Sequence, residues 1–222
     1  MAGKPYDAIV VGARCAGSPT AMLLARKGYK VLVLDRATFP SDTISTHVIH
    51  PPGVEALARW GLLERLAAPE CPPVHTYSFD FGPFAIVGAP GDADSPGAYA
   101  PRRTVLDKLL VDAAAEAGAE VREGFAVEEL VFEDGRVAGI RGHAAGASVT
   151  ERARVVVGAD GHNSFVARAV APEAYHERPR LQEGSYSYWS GLPMNGRLEA
   201  FDVGGRGLAA WPTHDGLTLV IA

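Results

Sequence analysis

The chain has 222 residues, 47% of them hydrophobic and 21% charged, which is ordinary for a globular protein and long enough for one large or two interleaved domains. Its 21 basic and 26 acidic side chains leave a net charge of −5, with no basic stripe, which argues against general affinity for nucleic acid or an anionic membrane. Two cysteines, Cys15 and Cys71, make no disulfide framework and build no four-ligand zinc spacing with the seven histidines, so no metal is expected and a reducing, cytoplasmic setting fits.

The N-terminus carries no charged leader followed by a long apolar segment, and no apolar run approaches the ~20 residues that span a bilayer, so a soluble protein is expected. The first element reads as a buried strand from Tyr6 to Val11, followed by a glycine turn from Gly12 to Gly17 and a helix ending near Lys27, where Gly28 is the stop. A second strand, Lys30 to Leu34, ends at Asp35. A glycine turn between strand and helix aims backbone N–H groups and the positive helix end at whatever sits above it, which favours a pyrophosphate. An acid at the end of the next strand, about 20 residues on, accepts hydrogen bonds from an adenosine ribose.

The turn reads Gly12, Ala13, Arg14, Cys15, Ala16, Gly17, so the second glycine of the GxGxxG pattern is replaced by Arg14. That glycine normally lets the backbone approach the phosphates closely. Two placements stay open for Arg14: its guanidinium meets a phosphate, or it lies outward as a solvated charge. Pro19 is harmless in the first helical turn and bends the helix if it falls later.

After Arg36 comes a loop rich in Pro, Ser and Thr, Thr38 to His50, holding Thr46, His47 and His50. It opens a helical stretch with Val54, Leu57 and Ala58, then Leu62, Leu63 and Leu66 beyond Gly61. From Pro72 to Ala100 short β-like runs, Val74 to Phe81 and Phe84 to Val87, are broken by proline and glycine, including the tract Ala89 to Gly97, and read as an inserted sheet of another domain. Helical spacing returns from Thr104 to Ala117, with Thr104 as N-cap and Asp107 three positions on. Arg102 and Arg103 precede it, either as surface charges or within reach of a phosphate or a flavin edge.

Glu120 to Arg122 is a short strand, followed by a meander of Ala126 to Phe132, an Asp134-Gly135 turn, Arg136 to Arg141 and Ser148 to Arg152. A separate apolar strand, Val155 to Val157, then enters the turn Gly158, Ala159, Asp160, Gly161 and a helix with Val166, Ala167 and Arg168. Ligands lie at such strand ends in α/β sheets. Gly184 to Ala222 is β-like throughout, with Tyr186, Tyr188, Trp189, Phe201, Leu208 and Trp211 expected on one face of a twisted sheet.

With both turns in place, the sequence resembles the FAD-dependent oxidoreductases of the aromatic-hydroxylase (group A flavin monooxygenase) and geranylgeranyl-reductase type. The resemblance rests on VVGARCAGSPTAMLLARKGYKVLVLDR, VVVGADGHNSFVAR, and the intervening DTISTHVIHPPGVEALARWGLLERL and APRRTVLDKLL. It implies an α/β fold, with an FAD-binding Rossmann-like domain at 1–71 and 98–170, a β-meander crossover, and an interleaved, mainly β substrate domain at 72–97 and 171–222. It implies that FAD contacts Gly12, Ala13, Arg14, Ala16, Gly17, Asp35 and Arg36, that Arg103 or Arg102 stands near the flavin, and that Asp160 and Gly161 close over the cofactor in a motif associated with NADPH or NADH. An arginine at the second-glycine position is tolerated in the family.

The family's third motif, a Gly-Asp turn after the substrate sheet, has no counterpart, because Gly91 and Asp92 lie ahead of the second motif. The chain is therefore expected to be truncated at its C-terminus relative to the family. The expected activity is an FAD-dependent, NAD(P)H-using monooxygenase acting on an aromatic or polyketide-like small molecule. The alternatives are a flavin reductase of prenyl double bonds and a catalytically silent nucleotide-binding fragment. Because the cofactor carries the chemistry, no side chain is required as acid or base, and His47, in a loop resembling one near the isoalloxazine, is the single catalytic candidate. The expected partner is a small-molecule substrate rather than nucleic acid or membrane, and the oligomeric state stays open.

Overall fold

The computed structural model describes residues 5–68, 70–92, 97–178 and 183–222, so part of the expected Ala89 to Gly97 tract, at 93–96, lies outside the described residues. Contacts divide the chain into two units, residues 1–41 with 106–177 and residues 42–105 with 178–222.

The first unit is built on β1 (Tyr6–Val11), α1 (Gly17–Arg26), β2 (Val31–Leu34), most of α4 (Arg103–Glu116), β5 (Glu120–Arg122), β6 (Ala126–Glu133), β7 (Arg136–Ala144), β8 (Ala147–Gly158) and α5 (Phe165–Val170). Its six-stranded sheet runs β5-β2-β1-β8-β7-β6. The first four strands are parallel, and the meander returns antiparallel. β1 and β2 are apolar because they are central: Ile9, Val10, Leu32, Val33 and Leu34 are fully buried. Ile9, Val11, Leu32 and Leu34 share a core with Phe125, Leu130 and Ile140 from beyond the crossover.

The expected break between Arg152 and Val155 does not exist. β8 is one strand whose first half pairs antiparallel with β7, Ala144 against Ala147 to Gly139 against Arg152, and whose second half pairs parallel with β1, Ala153 against Tyr6 to Gly158 against Val11. The residues around the expected gap fit the pleat: Ala153 turns inward, while Arg152 pairs with Glu133 and Arg154 with Asp7. Val155, expected to be buried, is 53% exposed.

α4 also differs from expectation. It begins at Arg103, one residue ahead of the expected cap Thr104, and Asp107 lies on its buried face with Leu110, Val111 and Ala114. Pro19 falls in the first turn of α1, where its missing N–H costs nothing.

The second unit holds α2 (Pro51–Trp60), α3 (Leu63–Ala67), β3 (Thr76–Asp80), β4 (Ala85–Gly88), β9 (Tyr186–Trp189), β10 (Arg197–Val203), β11 (Arg206–Pro212) and β12 (Thr218–Ile221). They form a six-stranded sheet, β4-β3-β10-β11-β12-β9, in which only β3 and β10 are parallel. Residues 42–71 and 98–105, expected with the first domain, belong here. Ile49 bridges Tyr99 and Val74 bridges Ala98. The Trp211 indole N–H donates to the Thr46 carbonyl at 3.1 Å, and the Thr213 hydroxyl to the Ala100 carbonyl at 2.6 Å. These long-range bonds, invisible to composition, set the boundary.

The aromatic residues split between the two faces of this sheet. Trp211 pairs with Leu219 and Leu219 with Tyr188, and Ile221 with Tyr186, so these side chains share one face. Phe201 pairs with Leu208 on the opposite face, which also carries Trp189. Trp211 is buried among Leu198, Leu219 and Val74, whereas Trp189 is 57% exposed.

Candidate functional site

In the first unit the chain turns sharply between β1 and α1 because three small residues allow it. Gly12 has φ +101°, and a Cβ there would lie 2.3 Å from the Ala159 carbonyl oxygen. A Cβ on Gly17 would lie 1.7 Å from the Gly12 carbonyl oxygen. The turn is thus packed against itself and against the loop after β8, which brings the two sequence motifs together at adjacent strand ends. Ala13 is fully buried, and the Ser18 hydroxyl donates to its carbonyl at 2.6 Å.

Asp35 closes β2 beside this turn. Its Oδ2 accepts the Ala13 N–H and its Oδ1 the Ala37 N–H, both at 2.8 Å. Each carboxylate oxygen retains a lone pair. Arg36 next to it is exposed. At the start of α1, the N-cap Ala16 offers no side-chain cap, and no acidic residue stands in the first turn. The Ser18 N–H donates to the Arg14 carbonyl at 3.1 Å and Pro19 has no N–H, so the start of the helix has no side-chain cap and its positive end suits an anionic ligand.

Within the chain's own contacts Arg14 is not an outward, solvated charge. Its Nη1 lies 2.5 Å from Asp107 Oδ2 and donates to the Ser41 carbonyl at 3.3 Å, while Nη2 donates to the Ser41 hydroxyl at 2.8 Å. The guanidinium also lies 5.3 Å from the Phe39 ring centre. Asp107 is fully buried, and its second oxygen accepts the Cys15 thiol at 3.3 Å.

Asp160, at the end of β8, organises α5. Its Oδ1 accepts the Ser164 hydroxyl at 2.5 Å and its Oδ2 the N–H groups of Phe165 and Val166 at 2.6 and 3.2 Å, while Ser164 caps the Ala167 N–H. Gly161 follows in an exposed turn.

His47 and Arg103 belong to the second unit. Arg103 is half-buried and opens α4. His47 is 3% exposed, with φ +65°, and its Nε2 lies 2.5 Å from the Tyr188 hydroxyl. Its ring stacks on Tyr188, 5.8 Å between centres and 8° between planes, and meets Tyr186 edge-on at 5.9 Å. The Arg102 guanidinium covers the Tyr188 ring at 4.2 Å, a cation–π contact, and pairs with Asp42 at 3.4 Å. The Arg102 backbone N–H donates to His214 Nδ1 at 3.1 Å.

Burial pushes the His47 pKa down to about 4; Asp42 opposes this, and Arg102, Arg103 and His214 add to it. In the unfolded chain the imidazole titrates near its ordinary 6.5, so between those values the unfolded state holds a proton that the folded state excludes. Stability is then complete above the ordinary value and is lost as pH falls toward 4. We expect the unfolding free energy to drop by about 2 to 3 kcal/mol between neutral pH and the folded-state value. The lowered pKa of His214 acts in the same direction. His47→Asn, which tolerates the positive φ, flattens the His47 part of that slope in urea titrations; identical slopes in variant and wild type would refute this assignment.

Asp107, Ser41, Tyr188 and His214 were missed from the sequence. The one available signal was Asp107 itself, an acid standing in the apolar stripe of a helix.

No helix among the described residues is long and apolar enough to cross a membrane. Residues 5–188 match the FAD binding domain family. FixC of Salmonella typhimurium is 30% identical over 228 aligned residues, which cover 89% of this chain and 52% of FixC. Digeranylgeranylglycerophospholipid reductase 2 of Methanopyrus kandleri is 33% identical, over 73% of this chain and 39% of the reductase. A Pseudomonas aeruginosa protein described as a probable FAD-dependent monooxygenase shares the fold, with a TM-score of 0.82 at 20% identity over 98% of this chain and 60% of its own. The chain spans about half the length of the curated relatives it matches.

Proposed function

The chain belongs to the FAD binding domain family, a family of FAD-dependent oxidoreductases, and from this premise we propose that its first unit holds the adenosine diphosphate half of FAD. The observation that carries the reading is the uncapped start of α1 beside Asp35. The residues present fit the group. Gly12, Ala13, Ala16 and Gly17 place no bulk at the turn, Arg14 is drawn aside, and the carboxylate of Asp35 has lone pairs left for ribose hydroxyls. Backbone N–H groups of the turn and the start of α1 would hold the pyrophosphate, with Asp35 and Arg36 toward the ribose, and the turn of Asp160 and Gly161 borders the same strand ends. Arg103 is a cofactor-binding candidate in the second unit.

FAD, when bound, supplies electron transfer between a nicotinamide and the substrate or oxygen; the protein binds, orients and excludes water. The finer reading is an NADPH- or NADH-using monooxygenase that hydroxylates an aromatic or polyketide-like small molecule. The fold shared with a protein described as a probable FAD-dependent monooxygenase supports it. His47 is the catalytic candidate; it is 3% exposed and stacks on Tyr188, whose sheet face packs on the core around Trp211. The match to a digeranylgeranylglycerophospholipid reductase favours a second reading, reduction of prenyl double bonds.

The purified chain mixed with FAD is expected to retain a flavin absorbance spectrum through gel filtration, and a colourless protein would refute the reading. Asp35→Ala is expected to weaken FAD binding by about 1.5 to 3 kcal/mol, the scale of a hydrogen bond to a charged group, read by fluorescence titration. Unchanged affinity would move the ribose contact elsewhere. Oxygen uptake with NADPH and substrate distinguishes hydroxylation from double-bond reduction, which proceeds without it.

A further inference from the structure

A glycine is expected at position 14 because a side chain there stands between the turn and a closely approaching phosphate. This chain has an arginine, the largest flexible side chain available, and yet the start of α1 carries no cap of its own. The guanidinium is held at four points: Asp107 Oδ2, the carbonyl and hydroxyl of Ser41, and the face of Phe39. The other oxygen of Asp107 accepts the thiol of Cys15, so one buried carboxylate engages two consecutive residues of the turn. The same helix fills its neighbouring buried positions with Leu106, Leu109, Leu110 and Val111. A buried ion pair is seldom more stabilising than such apolar packing, and its established use is to fix one conformation.

We propose that Asp107 is a positioning residue for the cofactor, which draws the Arg14 side chain off the phosphate side of the turn and so lets an arginine stand where close approach otherwise needs glycine. The proposal rests on the FAD reading above. It differs in sign from the alternative in which Arg14 is itself a phosphate ligand. If Arg14 swings onto the phosphate, Asp107 competes for it, and removing that carboxylate tightens binding. If Asp107 holds Arg14 clear, removing the carboxylate frees the side chain to obstruct the turn, and binding weakens.

The test is a fluorescence titration of FAD against four proteins, wild type, Asp107→Asn, Arg14→Gly and the double variant Arg14→Gly/Asp107→Asn, each checked for folding by circular dichroism and thermal melting. Asp107→Asn is expected to raise the dissociation constant at least about tenfold. The double variant is expected to return to within about threefold of wild type, because a glycine needs no positioning; a merely structural role for Asp107 gives no such rescue of binding. Tighter or unchanged binding by Asp107→Asn, or failure of the double variant to recover, overturns the proposal while leaving the FAD reading intact. Should Asp107→Asn not fold, Arg14→Gly/Asp107→Leu carries the same test, with near wild-type binding expected and lost binding overturning the proposal. No FAD binding by the wild-type chain overturns both.

Discussion

Arg14→Ala is expected to destabilise the chain by about 3 kcal/mol, the lower end of the cost of breaking a buried ion pair, because the Arg14 side chain is itself 25% exposed. Asp107 is fully buried, and Arg14 Nη1 lies 2.5 Å from its carboxylate. The Cys15 thiol, at 3.3 Å from the other oxygen, is a weak donor and no substitute for a guanidinium. Ser41 loses both its bonds to the guanidinium, and Phe39 loses its cation. Arg14→Lys retains the charge but not the fork that spans Asp107 and Ser41, and is expected to fall between. Urea denaturation measures both; a loss below about 1 kcal/mol for Arg14→Ala would mean that the pair behaves as an exposed one.

Gly12→Ala is expected to cost about 3 kcal/mol or more and to abolish FAD binding, because two penalties meet at one atom. A φ of +101° is strained for any residue with a Cβ, and that Cβ would sit 2.3 Å from the Ala159 oxygen and 2.7 Å from its carbonyl carbon. Both neighbours are backbone, so relief requires moving the end of β8 away from β1. Gly28→Ala is the control. Its φ is +85° and a Cβ meets nothing within 4 Å, so only the conformational penalty, about 1 kcal/mol, is expected. Thermal melts of the two variants separate strain from collision; equal losses would show that the approach of Ala159 to Gly12 carries no energy.

Much of the first unit was legible because its signals are local. Hydrophobic runs of strand length, a glycine turn, a basic end with Gly28, and an acid after β2 each report on neighbours in sequence, and β1 falls where the sequence reading puts it. The two halves of β8 were not legible as one strand. Only Ala153 and Arg154 separate the two expected runs, and what joins them is the pairing with β7 on one half and β1 on the other. The domain boundary failed for the same reason: residues 42–71 and 98–105 have ordinary helical and loop composition, and only the bridges Ile49 to Tyr99 and Val74 to Ala98 assign them.

The site divides along the same line. Gly12, Gly17 and Asp35 were candidates from the strand-turn-helix spacing, and Asp160 from the family resemblance. The partner of Arg14 could not be named, because Asp107 is 93 positions away and looks like a cap residue at the start of its helix. His47 could be named only as a histidine in a loop; its stacking on Tyr188, 141 positions away, and the burial that keeps it neutral come from strand pairing in the second sheet. The sequence by itself determined most of the elements and the glycine turn between β1 and α1, through propensity and spacing that act over a few residues. Tertiary structure alone decided which charges are buried, what they pair with and which sheet each segment joins, because those energies depend on solvent exclusion and on contacts between residues far apart in the chain.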